Sequence, residues 1–234
     1  MQIFYSQDIS GNAVQLGEEE AKHCFKVLRH KAEDIIHITD GKGNLYQCRI
    51  EDHNPAHHRI HILKTITPAS ERPYYLEVVV APTKNPERME WMVEKLVETG
   101  IDSIRFVKTH RTEKGSLKME RLHSKAISAM KQSLHLTLPQ ISPMTDFGNL
   151  IQEKIDAVKL IAWCDDQQDK KQLQSIDLSN RYRILIGPEG DFTQQEITHA
   201  LKHGYQPISL GPSRFRTETA ALAACMALYF KFTL

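Results

Sequence analysis

The chain has 234 residues, 41% of them hydrophobic and 25% charged, with a net charge of +1. That is the composition of a globular protein with room for two domains, and it excludes a disordered, fibrous or uniformly basic chain. The opening "MQIFYSQDIS" has no basic region leading into an apolar run, and no apolar stretch nears the roughly 20 residues of a membrane span, so a cytoplasmic protein without a membrane partner is expected.

Residues 1 to about 66 read as strands and turns. "DIIHIT" runs into Asp40-Gly41-Lys42-Gly43, then "NLYQCRI" and "HHRIHILKTI", alternating or β-rich runs separated by turn residues; "EEEAKHCFKVLRH" alone has a helical pattern here. His53, His57, His58 and His61 lie close together, but the alternation sends neighbouring side chains to opposite faces, so no metal is expected. Cys24, Cys48, Cys164 and Cys225 form no C-x-x-C pair and read as reduced core thiols. "TPASERP", residues 67–73, reads as a linker between a domain spanning 1–70 and one spanning 71–234.

After the linker the period changes. "YYLEVVVAP" is the near-continuous apolar run of a strand buried on both faces. Asn85 then stands as a helix N-cap before Pro86, with Met89, Met92, Val93, Leu96 and Val97 on one apolar face and Gly100 as the stop. "IRFV", "LIAWC", "RILIG" and "PISL" follow as strands. They alternate with helices from about Leu117 to Leu134, from Thr193 to His203 with Thr193 and Glu196 in capping-box spacing, and over "TETAALAACMALYF". The alternation predicts an α/β domain with a mostly parallel sheet.

Two strands end in Gly-Pro loops, at Gly187-Pro188-Glu189-Gly190 and at Leu210-Gly211-Pro212. Ligands of parallel sheets bind beyond the carboxyl ends of strands, where glycine lets backbone come close. Neither G-x-G-x-x-G nor G-x-x-x-x-G-K-[ST] occurs, and proline removes amide donors, so a flatter and less anionic ligand than a nucleotide phosphate is expected. Backbone groups there would read an adenine edge, with Ile186, Phe192 and Leu210 covering its face. Each glycine also fits a plain tight turn, and Thr217 a plain cap.

From Arg105 to Lys131 the basic residues Arg105, Lys108, Arg111, Lys114, Lys118, Arg121, Lys125 and Lys131 are opposed only by Glu113 and Glu120. Lys118, Arg121 and Lys125 share one helical face. This is either a solvated face or a phosphate-binding surface beside a substrate site. Arg111, Lys118, Arg121 and Lys125, with Lys22, Lys26 and Arg29, are the RNA-binding candidates, and they are expected to stand apart from the Gly-Pro loops.

"LIGPEGDFTQQE" with "LGPSRFRTETAAL" resembles the signature of the ribosomal RNA small subunit methyltransferase E family, SPOUT-type enzymes that methylate N3 of a uridine in 16S rRNA. "HCFKVLRH", "ITDGKGN", "PTKNPERMEWMVEKLVETGI" and "AMKQSL" extend the resemblance along the chain. It implies a small N-terminal PUA-like β-barrel domain for RNA and a C-terminal α/β domain with a deep trefoil knot. It further implies S-adenosyl-L-methionine held by the knot loops, a homodimer in which both subunits build each site, and 16S rRNA or the small ribosomal subunit as partner. The cofactor motif carries over to Gly187, Pro188, Glu189, Gly190, Leu210, Gly211, Thr217, Glu218 and Thr219. Arg216 is the candidate for stabilising the uridine anion, or else forms an ion pair with Glu218 or Glu189; Glu218 or a water would take the proton. Asp191, Ser213 and Lys131 depart from the family pattern, where a glycine, an arginine and a glutamate are common. A SPOUT enzyme acting on another RNA or base, and a non-catalytic RNA-binding module, are the alternatives.

Overall fold

The computed structural model describes residues 1–67, 72–113, 117–164 and 170–233; most of the expected linker and Lys114 lie outside the described residues. The chain divides into two compact units, residues 1–70 with 127–138, and residues 71–126 with 139–234.

The first unit is a six-stranded sheet. Strands β1 (Ile3–Tyr5), β2 (Asp8–Ser10), β3 (Ala13–Gln15), β4 (Ile35–Thr39), β5 (Leu45–Asp52) and β6 (Arg59–Ile66) lie in the order β1-β4-β5-β6-β3-β2. Only β1 and β4 run parallel. Period-two alternation sends Ile36 and Ile38 of β4, Cys48 and Ile50 of β5, and Ile60 and Ile62 of β6 into one core with Phe4, Val14 and Leu16. Helix α1 (Glu18–Lys22) continues as a π-helical turn over His23–Val27, which Arg29 ends at φ 60°. His58 is buried, accepting from the Leu16 N–H at 2.9 Å and facing the Pro55 carbonyl at 3.3 Å, so both ring nitrogens have structural partners. Cys24 and Cys48 are buried, and burial pushes both thiols up to about 12. Residues 127–138 belong to this unit through the Gly43 N–H on the Leu136 carbonyl (2.9 Å), the Leu138 N–H on the Gly41 carbonyl (2.8 Å) and an ion pair of Lys131 with Glu20.

The second unit is a seven-stranded sheet in which every strand pair is parallel. Its strands are β7 (Tyr75–Val80), β8 (Ser103–Lys108), β9 (Gln140–Asp146), β10 (Val158–Ala162), β11 (Lys171–Gln172), β12 (Arg181–Ile186) and β13 (Gln206–Ser209), in the order β11-β13-β10-β12-β7-β8-β9. Helices α2 (Pro86–Glu98) and α6 (Thr217–Thr233) pack together against one face, and α4 (Phe147–Ile151) with α5 (Gln194–Lys202) against the other. Local chemistry sets the helix ends: the Asn85 side chain accepts from the Glu87 N–H at 2.8 Å, and Thr193 and Glu196 form the reciprocal capping box that starts α5. Helix α3 (Met119–Gln132) carries Arg121, Lys125 and Lys131 of the basic run, with Lys118 just before it.

Three central strands bury a charged cluster. Glu77 of β7 pairs with Arg183 of β12, and Glu153 accepts from Arg105 of β8 in bidentate fashion (both 2.8 Å) and from Arg183 (2.8 Å). The hydrogen bonds from Arg105 hold the Glu153 carboxyl below its ordinary range against the opposing effect of burial, with Arg183 adding to them. Arg105, expected in the surface patch, therefore belongs to the interior of the sheet.

Candidate functional site

The carboxyl ends of β10, β12 and β13 open into a cleft of about 1000 Å³. The first Gly-Pro loop forms one wall: the Asp191 N–H closes a turn onto the Pro188 carbonyl at 2.9 Å, and Gly187, Pro188, Glu189 and Asp191 face the cleft. The second loop supplies Leu210, Gly211, Pro212 and Ser213, leading through Arg216 to Thr217 at the first turn of α6. Thr217 is not the cap considered from sequence, because the helix begins at that residue. Its hydroxyl donates to the Gly187 carbonyl at 3.0 Å and ties the two loops together. Gly211 has φ 120° and no atom within 4 Å of a built Cβ, so the backbone angle and not crowding accounts for the glycine.

Apolar groups make the floor. Ile186, Ile208, Leu210 and Trp163 line it, and the Trp163 indole N–H is buried without a hydrogen-bond partner among the described residues. Lys170 sits over the Trp163 ring at 4.6 Å. Phe192, expected over the ligand face, lies instead in the core, where its ring would contact a Cβ on Gly187 at 3.1 Å. Cys164, expected in the core, is exposed beside the cleft. An apolar floor with Gly-Pro loop backbone at its rim, and a buried donor lacking a partner, fit an adenosyl cofactor.

Three residues of the expected cofactor set do not face the cleft. Gly190 turns toward Arg111, Thr219 is half-buried on α6, and Glu218 is 6% exposed behind the wall. Glu218 instead meets Arg88 of α2, whose Nε lies 3.7 Å from Glu218 Oε1 while its Nη1 donates to Glu189 Oε1 at 2.6 Å. Arg88 thereby joins the first loop to α6, the ion-pair role considered for Arg216. Arg216 is exposed at the cleft, with no ion pair among the described residues. A sequence signal for Arg88 exists: it is a lone cation in the first turn of a helix, where the macrodipole favours acids.

Two of the departing residues, Asp191 and Lys131, have local explanations, and nothing in the structure explains Ser213. Asp191 holds a left-handed backbone (φ 63°), a conformation that suits the glycine expected there from the resemblance; its carboxylate accepts from the Phe192 and Cys164 N–H groups, both at 2.8 Å. Lys131 is neutralised by Glu20. In the remaining basic run Arg121 and Lys125 lie near Glu90 and Glu94 at 3.7 and 3.8 Å, whereas Lys118 is exposed without such a partner among the described residues. Lys22, Lys26 and Arg29 are exposed on the first unit. Among the described residues no His, Cys, Asp or Glu group is arranged to hold a metal, and no helix is long and apolar enough to cross a membrane.

Residues 70–229 match the RNA methyltransferase domain family, and residues 16–57 the RNA methyltransferase PUA domain family. The ribosomal RNA small subunit methyltransferase E of Buchnera aphidicola subsp. Acyrthosiphon pisum (strain APS) is 30% identical, over 98% of this chain and 93% of its own. The crystal structure of a probable rRNA-methyltransferase from Porphyromonas gingivalis superposes with TM-score 0.92 at 37% identity, covering 98% of each chain. That of a ribosomal RNA small subunit methyltransferase E from Neisseria gonorrhoeae bound to S-adenosyl methionine superposes with TM-score 0.87 at 28% identity, over 98% of this chain and 97% of the other. With its PUA-type β unit, its parallel sheet and a Gly-Pro cleft at the carboxyl edge of that sheet, the chain belongs to the ribosomal RNA small subunit methyltransferase E family of RNA methyltransferases.

Proposed function

We propose that the chain is a S-adenosylmethionine-dependent methyltransferase acting on N3 of a uridine in the 16S RNA of the small ribosomal subunit. The observation that carries this reading is the pair of Gly-Pro loops locked by the Thr217–Gly187 hydrogen bond around an apolar cleft, in a chain whose relative binds that cofactor. The first unit serves as the RNA-binding PUA-like part, with Lys22, Lys26 and Arg29 on phosphates, and the second as the transferase. The expected trefoil knot and cytoplasmic location belong to the same reading. So does a homodimer, supported by Trp91 of α2 and Phe230 of α6, which are 41% and 47% exposed.

S-adenosylmethionine supplies, when bound, a methyl group on a sulfonium centre. The chain's part is to orient and to exclude water: Gly187, Pro188, Glu189 and Asp191 with Leu210 and Gly211 would hold the adenosyl group by backbone, and Ile186, Ile208 and Leu210 would cover its ring. Uridine N3 becomes nucleophilic only on losing its proton. Arg216, at the cleft mouth, stabilises the resulting anion at the O2 and O4 edge. In this reading Glu218, buried beside Arg88, holds that arginine, and the N3 proton leaves to water.

The test is methyl transfer from labelled cofactor to small-subunit RNA and to tRNA, with the modified nucleotide mapped. Label at uridine N3 of the small-subunit RNA is expected, and Arg216→Ala should slow single turnover by about 100-fold or more with near-normal binding. Label confined to tRNA, or on another base, would overturn the assignment.

A further inference from the structure

The cofactor loop is braced from outside as well as from the cleft. Arg111, just beyond β8, donates from Nη1 to the Gly190 carbonyl at 2.7 Å. Its methylenes lie against the same residue: a Cβ built on Gly190 would meet Arg111 Cδ at 3.3 Å and Cβ at 3.5 Å. Gly190 has no left-handed backbone to explain it, so the close approach of Arg111 is what the glycine permits. The segment carrying Arg111 is itself fixed, since the His110 N–H donates to Glu196 Oε1 at 2.8 Å and the Thr109 N–H to Thr112 Oγ1 at 2.8 Å. The expectation that Arg111 stands apart from the Gly-Pro loops therefore does not hold.

Arg111 is also among the cations left over. Arg105, Arg121, Lys125 and Lys131 all have carboxylate partners, whereas among the described residues Lys108, Arg111 and Lys118 are exposed without one. A guanidinium carries five N–H donors in a fixed fork, and the Gly190 bond occupies one of them.

We infer that Arg111 couples the two substrates: the guanidinium that braces the cofactor loop at Gly190 takes an RNA phosphate through its remaining N–H groups, so RNA and cofactor bind with positive linkage. This rests on the methyltransferase reading above. An exposed arginine samples many rotamers; a phosphate in its fork holds it in one, which keeps the Gly190 bond made and the Gly187–Asp191 wall in place for the cofactor. Linkage is reciprocal, so the cofactor tightens RNA binding by the same factor.

The experiment is calorimetric titration of S-adenosylhomocysteine into the full chain, alone and with saturating naked small-subunit RNA. In the parent the affinity should rise about tenfold with RNA. Arg111→Gln should bring that factor near one and reduce the slope of log RNA affinity against log salt by about one. Gly190→Val, which keeps every charge but places a branched side chain where the Arg111 methylenes lie, should lose the coupling and keep the salt slope. Lys118→Gln should reduce the slope and keep the coupling. A parent whose cofactor affinity ignores RNA, or an Arg111→Gln protein with the parent's factor, would overturn the inference. Absence of S-adenosylhomocysteine binding by the parent in both conditions would overturn the methyltransferase reading, and this inference with it.

Discussion

Single residues in this chain do work that their type alone does not announce. Asp191 uses the tolerance of aspartate for a left-handed backbone and then adds two hydrogen bonds that a glycine lacks. Asp40, in the turn after β4, accepts from the Asn44 side chain (2.7 Å), the Lys42 and Asn44 N–H groups (2.7 and 3.2 Å) and the Tyr46 hydroxyl (3.2 Å). Burial pushes its carboxyl up, but these bonds, led by Asn44, outweigh burial and hold it below the ordinary range. A carboxyl lowered on folding contributes stability that is present above the unfolded value of about 3.9 and lost as pH falls through the folded value. Asp40→Asn is thus expected to cost about 1–2 kcal/mol at pH 7, with the gap from the parent closing below about pH 4. Urea unfolding over a pH series measures it, and a gap constant down to pH 3 would contradict this role.

Among the elements, α2 and α6 are joined by more than apolar contact. Arg88 of α2 is the cation facing the buried Glu218 of α6. Breaking a buried pair costs about 3–5 kcal/mol, and because Arg88 keeps 32% of its side chain exposed, Arg88→Met is expected to cost about 2 kcal/mol. Adding Glu218→Gln should recover most of it in chemical denaturation; a double variant no more stable than the single would remove the pairing as the cause. Helix α3 behaves differently. Its pairs to Glu90 and Glu94 are long and their cations exposed, so replacing Lys118, Arg121 and Lys125 together by Gln should cost little stability while lowering the salt slope of RNA binding by about 2–3. An unchanged slope would leave α3 a solvated face. Strand β9 shows why one element escaped the sequence reading: "QISPMTD" contains Pro143, tolerated because β9 is an edge strand and Pro143 falls at a register shift between the Ser142 and Met144 pairings.

At the scale of the molecule, α6 is apolar on every side, but one sheet face buries only part of it. Ala221, Ala224, Cys225 and Leu228 are inside, while Tyr229 and Phe230 are 38% and 47% exposed. A second copy covering that face is the proposed use of it. Sedimentation equilibrium should find a dimer at micromolar concentration, and Phe230→Asp should shift it to monomer; a parent sedimenting as a fully active monomer would rule the dimer out.

The change from alternating strands to alternating strand and helix, the Asn85 and Thr193 caps, the two Gly-Pro loops and the family itself were all readable along the chain. The periods, caps and loops each depend on residues within a few positions of one another, where backbone period, capping and turn chemistry act, and the family shows in short motifs of that kind repeated in order along the chain. Tertiary structure alone decided which cations stay on the surface. Arg105 and Arg183 meet Glu77 because β12, β7 and β8 are neighbours in the sheet, an order the chain does not follow. Arg88 finds Glu189, Arg111 finds Gly190, and residues 127–138 join the first unit by the same kind of long-range placement. Periodicity reports which way a side chain points within its own element. Its partner is set by which elements the fold lays side by side, and a charge finds its energy only in that partner.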